Sequence, residues 1–330
     1  MKAIAILMMT GTLLATGAAR AEAMLEDFSY PFEVKRLVLH SQRQSLSMAY
    51  MDVKPETPNG RTIVLLHGKN FCGATWERTI GALRDAGYRV VVPDQIGFCK
   101  SSKPEAYQFS LTQLAANTRR LLSELKIEKP VMIGHSMGGM LAARYALAYP
   151  RQLAGLVLVN PIGLEDWQAK GVPPATVDEL YRSELKTDAE RIKAYQMKVY
   201  YDGKWRPDYD RWVDMLAGMY AGADGARVAW NQALTSDMVF SQPVIHEFGR
   251  IRVPTTLMIG MRDKTAIGRD RAPPEVAAVL GNYPELAREA AQQIPNARLL
   301  SFSDLGHSPQ VEDPERFNAR LLEGLTLMGY

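Results

Sequence analysis

The sequence contains no block of like charges, no low-complexity tract and no internal repeat. Its net charge of +3 is too small to point to nucleic acid or an anionic membrane as a partner. Only five histidines and two cysteines are present, and none falls in a metal-ligand spacing, so no metal or organic cofactor is expected. Beyond about residue 19, no apolar run approaches the roughly 20 residues that a membrane-crossing helix needs. The rest is ordinary for a globular chain: 47% hydrophobic and 23% charged over 330 residues, a length that suits one large α/β domain carrying an inserted piece.

The N-terminus is more specific. Lys2 precedes an uncharged apolar stretch from Ala3 to about Ala19, followed by A-R-A-E-A at 19–23, small residues alternating as a signal peptidase reads them. Thr10, Gly11, Thr12, Thr16 and Gly17 interrupt the stretch and make it a poor membrane anchor. Residues 1–23 are therefore expected to be a signal peptide cut after Ala21 or Ala23, giving a soluble, exported protein that is periplasmic or secreted.

Two strand-like stretches open the remaining chain, Glu33–Leu39 and Ser45–Val53, with a polar turn around Ser41–Gln44. Short apolar runs then alternate with helix-length segments. The runs fall at 62–66, 89–93, 130–134, 155–159, 255–259 and 297–302; helices are expected at about 76–86, 110–125 and 137–149. Unbroken runs rich in Val and Ile suit strands covered on both faces, so the pattern predicts a doubly wound, mostly parallel α/β sheet with an antiparallel entry. From Pro161 to about Gly249 no buried strand appears. Amphipathic helical patterns replace it, for instance Trp212, Met215, Leu216 and Met219 on one face. The expected division is a core of 24–160 and 250–330, with 161–249 as an inserted helical lid.

The run G-H-S-M-G at 134–138 directly follows a buried strand and opens a helix. That strand–turn–helix context is what a nucleophile elbow requires, and it marks Ser136 as the candidate nucleophile. A serine hydroxyl needs an adjacent base, and around such an elbow the acid and then the histidine follow in chain order. Only His307, in L-G-H-S-P, comes after the last strand; His40, His67, His135 and His246 all precede it. Asp263, just after the run 255–259, is the expected acid, with Asp270 and Glu275 as alternatives. Met137 N–H, next to the nucleophile, is one expected oxyanion donor.

These features, together with H-G at 67–68, Trp76, D-Q-I-G-F-C-K-S-S at 94–102, V-P-T at 253–255 and G-H-S-P-Q-V-E-D-P-E-R-F at 306–317, resemble the α/β-hydrolase fold family, in its capped, epoxide-hydrolase-like branch. The resemblance spans most of the chain. Epoxide hydrolases and haloalkane dehalogenases of that branch carry Asp where Ser136 stands, so neither chemistry is expected. Esterases, C–C-bond hydrolases, prolyl iminopeptidases and cofactor-free haloperoxidases remain, beside a non-catalytic small-molecule receptor on the same fold. The expected activity is that of a carboxylesterase-like serine hydrolase acting on a small, largely apolar substrate. The resemblance also implies Lys69 as the second oxyanion donor through its N–H, with Asn70 as the alternative. It places the loops carrying Cys72 and Cys99 on neighbouring strands, where an exported chain would bridge them. Tyr200, Tyr201 and Trp205 are the lid residues expected to line the pocket. Nothing in the sequence indicates an oligomeric state.

Overall fold

The computed structural model describes residues 24–330, and the expected signal segment, 1–23, lies outside them. Every apolar run noted above forms a strand. β1 (Val34–Ser41) and β2 (Gln44–Val53) pair as an antiparallel hairpin. Its turn residues Gln42 and Arg43 both have positive φ, 49° and 65°, the hand of turn that matches strand twist. β3 (Thr62–Leu66), β4 (Arg89–Pro93), β5 (Val131–His135), β6 (Gly155–Val159), β7 (Thr255–Gly260) and β8 (Ala297–Phe302) follow. These six pair in parallel, and β2 joins them antiparallel to β4, giving the order β1-β2-β4-β3-β5-β6-β7-β8.

The alternation of side chains divides the core in two. Val64, Leu66, Val91, Met132, Leu158 and Leu257 face one layer; Ile63, Leu65, Val90, Ile133, Val157 and Met258 face the other. Helices α1 (Glu77–Asp85), α2 (Leu111–Glu124) and α3 (Met137–Ala148) fill the first crossovers. α2 and α3 bury Leu114, Leu121, Met140 and Leu141 in the first layer, while Ile80 and Leu83 of α1 bury in the second. Coverage on both faces is why the central strands read as continuous apolar runs. β8, at the edge, is exposed at Arg298 and Ser301 and buried only at Leu300 and Phe302.

Between β6 and β7 come α4 (Val177–Glu184), α5 (Ala189–Tyr195), α6 (Asp210–Ala221) and α7 (Gly225–Ser241), with a π-helical turn at Gln196–Tyr200 after α5. This segment meets the loops at the C-terminal ends of three strands. Glu184 pairs with Lys69 after β3, Gln232 Nε2 donates to Gly97 O after β4, and Tyr200 O accepts from His307 N after β8. The C-terminal ends of the strands are thus roofed by helices. α8 (Pro274–Val279) and α9 (Tyr283–Gln293) connect β7 to β8, and α10 (Pro309–Glu312) and α11 (Pro314–Leu327) finish the chain. No helix among the described residues is long and apolar enough to cross a membrane.

Cys72 and Cys99 form a disulfide, with Cα atoms 5.8 Å apart. It ties the loop after β3 to the loop after β4, and the two strands are neighbours in the sheet. Asp94 reinforces the same junction: its carboxylate accepts from Gly73 N, Lys100 N and the Tyr30 hydroxyl. Closing a loop of 27 residues restricts the unfolded chain by an amount worth about 2–4 kcal/mol. The double variant Cys72→Ala/Cys99→Ala is expected to lose that much stability in urea unfolding; an unchanged midpoint would show the bridge to be energetically idle.

Candidate active site

Ser136 sits between β5 and α3 with φ 57° and ψ −122°, backbone angles that strain a non-glycine residue by about 1–3 kcal/mol. The turn is possible because the residues two positions to either side, Gly134 and Gly138, carry no side chains. A Cβ on Gly134 would lie 2.1 Å from Gly138 O, and one on Gly138 would lie 2.3 Å from Leu66 O. Strand, turn and helix therefore close directly onto the end of β3. From that strand end, Gly68 backs onto the serine: a Cβ there would stand 2.9 Å from Ser136 Cβ and 3.3 Å from its Oγ. The Met137 N–H opens α3 beside it, at the end of the helix that favours negative charge.

His307, carried by the loop after β8, is fully buried, and Asp263, from the loop after β7, is 2% exposed. His307 Nδ1 donates to Asp263 Oδ2 at 2.6 Å, with Thr265 Oγ1 also 3.1 Å from Nδ1. The carboxylate is oriented from other sides: Asn160 Nδ2 donates to Oδ2 and Thr265 N to Oδ1. Neither Asp270 nor Glu275 shares a bond with the ring. His307 Nε2 is buried without a hydrogen-bond partner among the described residues, so the Ser136 hydroxyl is not bonded to it in this structure. Such contacts often tighten only when substrate is bound.

The backbone of His307 is held as firmly as its ring. Its N–H donates to Tyr200 O, and its carbonyl accepts from His135 Nε2 at 2.8 Å. On either side, Glu312 accepts from Gly306 N through both oxygens and from Ser308 N through Oε1. The Tyr200 ring lies over the imidazole, centroids 4.3 Å apart and planes 28° apart, and its hydroxyl accepts from Asn70 Nδ2. One residue of the helical segment thus meets both the histidine and the loop after β3. The roles of His135 and Asn160 could not be read from sequence, because each acts through a partner more than 100 positions away. Glu312 and Thr265 bond backbone groups or side chains within six positions, a local spacing that carries no distinctive signal.

Two other buried histidines are kept uncharged. Burial drives His135 well below the ordinary imidazole value, and the neighbouring His307 adds to the effect. Burial also lowers His67, whose Nδ1 donates to Gly68 O and whose Nε2 accepts from Gln95 N. His67, Asp94 and Cys99 lie within 4.8 Å of one another. They do not suit a metal, since both ring nitrogens are hydrogen-bonded and the sulfur is in the disulfide. His246 is at the surface, paired with Asp166.

A cavity of about 310 Å³ adjoins the loop after Gly68, with Lys69, Asn70, Glu184, Tyr195, Gln196 and Leu216 in its wall. The Lys69 ammonium is engaged by Glu184 at 2.8 Å, and Tyr220 donates to the other oxygen of that carboxylate. Tyr201 and Trp205 are not in this wall. They pack with Tyr209 into an aromatic cluster of the helical segment, Tyr201 stacked on Tyr209 at 4.1 Å. A larger surface cleft of about 490 Å³ runs past Arg78, Arg211 and Glu315 and includes none of Ser136, Asp263 or His307.

A doubly wound sheet with a serine on a strained strand–helix turn, and an Asp–His pair from later loops, defines a class of enzyme scaffold. The chain belongs to the α/β-hydrolase fold family, which matches residues 61–314, and so stands among the hydrolases. It is 60% identical to a crystallised probable hydrolytic enzyme from Pseudomonas aeruginosa PAO1, with a TM-score of 0.91 over 92% of this chain and 97% of that one. The 2-hydroxy-6-oxo-6-phenylhexa-2,4-dienoate hydrolase of Comamonas testosteroni is 26% identical over 283 residues, covering 82% of this chain and 89% of that protein. An esterase from Thermogutta terrifontis shares the fold with a TM-score of 0.67 and 21% identity, over 90% of this chain and 99% of that one.

Burial raises Glu312 to about 7, against the pull of the Gly306 and Ser308 N–H groups. The folded state therefore keeps a proton that the unfolded chain releases at the ordinary glutamate value of about 4.3. The stabilisation from this group is full below about pH 4 and is lost as pH rises through about 7. Between pH 5 and pH 8 the chain should lose up to about 3 kcal/mol relative to Glu312→Gln, measured by urea unfolding. Parallel pH profiles for the two proteins would show that the carboxyl does not titrate there.

Proposed function

We propose that the chain is a serine hydrolase that cleaves a carboxylic ester of a small molecule through an acyl-enzyme. The carrying observation is the buried Asp263–His307 pair, whose Nε2 has no partner among the described residues, while His135, the residue before the strained Ser136, bonds the His307 carbonyl. In this reading Ser136 Oγ attacks the ester carbonyl while His307 Nε2 takes its proton, and Asp263 fixes the tautomer and stabilises the imidazolium. The tetrahedral oxyanion is held by the N–H groups of Met137 and Lys69. The contact of Gly68 with Ser136 favours Lys69 over Asn70, because it brings that stretch of backbone to the nucleophile. The imidazolium then returns its proton to the departing alkoxide, which leaves as an alcohol. Water, deprotonated by His307, attacks the acyl-enzyme and releases the acid.

The helices between β6 and β7 act as a lid over this site, with 161–249 as their segment and 24–160 and 250–330 as the core. The apolar body of the substrate lies against Ile192, Tyr195, Leu216 and Ile267 of the cavity wall. The disulfide supports the reading of an exported protein. A C–C-bond hydrolase is the second reading, favoured by the curated Comamonas relative, whose reaction would use the same residues.

Labelling with a fluorophosphonate should modify Ser136 in the folded protein and fail with Ser136→Ala, which should also lose at least about 10³-fold in kcat on p-nitrophenyl esters. Unlabelled Ser136, or cleavage of a 2-hydroxy-6-oxo-dienoate with no ester hydrolysis, would overturn the esterase reading. Tyr200→Leu, which removes the ring over His307, should lower kcat by about tenfold and leave labelling intact; an unchanged kcat would reduce Tyr200 to lid packing.

A further inference from the structure

The wall of the cavity beside the oxyanion loop includes a buried amide that the proposed chemistry leaves unused. Gln196 is part of its wall and is 1% exposed, yet neither its Oε1 nor its Nε2 has a hydrogen-bond partner among the described residues. Leaving both ends of a buried amide unpaired is costly, and such groups in native proteins call for an explanation. Several other polar side chains of the wall are already engaged: Lys69 with Glu184, Glu184 also with Tyr220, Asn70 with Tyr200, and Arg191 with the Lys186 carbonyl. The charge of Lys69 is therefore spent inside the protein, and Arg191 of the same wall is exposed to solvent.

Gln196 also stands where a reading residue is useful. It begins the π-helical turn that ends at Tyr200, and Tyr201 N reaches back five residues to its carbonyl oxygen. Single π turns of this kind interrupt helices at functional sites with unusual frequency. Here the turn puts Gln196 in the cavity wall at one end and Tyr200 on the His307 ring at the other. Tyr195, next to Gln196, lines the cavity and touches the Tyr200 ring, centroids 5.3 Å apart.

We infer that this cavity is the acyl subsite of the proposed hydrolase, and that Gln196 makes it selective for an acyl chain carrying an amide, whose N–H and C=O pair with the Gln196 Oε1 and Nε2. The inference rests on the serine-hydrolase reading and specifies its substrate class. A cavity of about 310 Å³, at the lower end of ligand-sized pockets, suits a short acylamino acid rather than a long hydrocarbon chain. Pairing a buried site amide gives stronger discrimination than adding a methylene, because the analogue that lacks the polar group leaves the site unsatisfied.

The test compares p-nitrophenyl N-acetyl-β-alaninate with its hydrocarbon counterpart, p-nitrophenyl 5-methylhexanoate, on the full-length protein and on Gln196→Leu. The quantity read is the ratio of kcat/KM for the two esters, divided between wild type and variant, so that their intrinsic reactivities cancel. Wild type should favour the acetamido ester, and the double ratio should be about tenfold or more. Gln196→Met, unbranched and similar in length, repeats the measurement if Gln196→Leu does not fold. A double ratio within twofold, with Ser136 still labelled by fluorophosphonate, would overturn the Gln196 assignment alone. Loss of labelling in wild type would instead overturn the hydrolase reading on which it rests.

Discussion

The turn at Ser136 governs the architecture of the site. Holding a serine at φ 57° takes a strand, a helix and a neighbouring strand end packed so closely that two positions can carry only hydrogen. Gly134 lies against Gly138, and Gly138 lies against the carbonyl of Leu66. Since that carbonyl ends β3, the same contact fixes where the following loop begins, and so brings Gly68 against the serine. The strain is sustained by the parallel ladder on both sides of β5 and by the buried layers above and below it.

Around this turn, the polar groups of the histidine loop are held by three partners from distant elements and one from the helix that follows it. Tyr200, His135 and Asp263 each bond His307 once, and Glu312, five residues on, accepts from the N–H groups of both its neighbours. His135 can do this because burial keeps its ring neutral, leaving Nε2–H to donate to the His307 carbonyl without placing a second charge beside the imidazole. The ring of His307 is thereby oriented at Nδ1 and left unpartnered at Nε2, the arrangement a general base requires.

The helical segment between β6 and β7 contributes more than cover. Its π turn joins the cavity wall to the face of the His307 ring, and the Glu184–Lys69 pair joins α4 to the loop after β3. Most of its aromatic residues are spent internally. Tyr201, Trp205 and Tyr209 form a cluster that gives the segment a small core of its own.

The alternation of buried strands and helices was legible in the sequence because two-sided burial leaves continuous Val, Ile and Leu runs, and residues 62–66, 89–93 and 155–159 form strands over the same spans. Ser136 was legible because its glycines and flanking elements are adjacent in the chain. Asp263 and His307 were legible by order along it. The sequence by itself thus determined the layering of the sheet and the positions of the residues proposed to react. Tertiary structure alone decided which partners orient them, which aromatic residue of the segment meets the imidazole, and which amide in the cavity wall goes unpaired. Those are contacts between residues as many as 172 positions apart, as in His135 with His307, and their pairing depends on how the layers pack rather than on any local pattern.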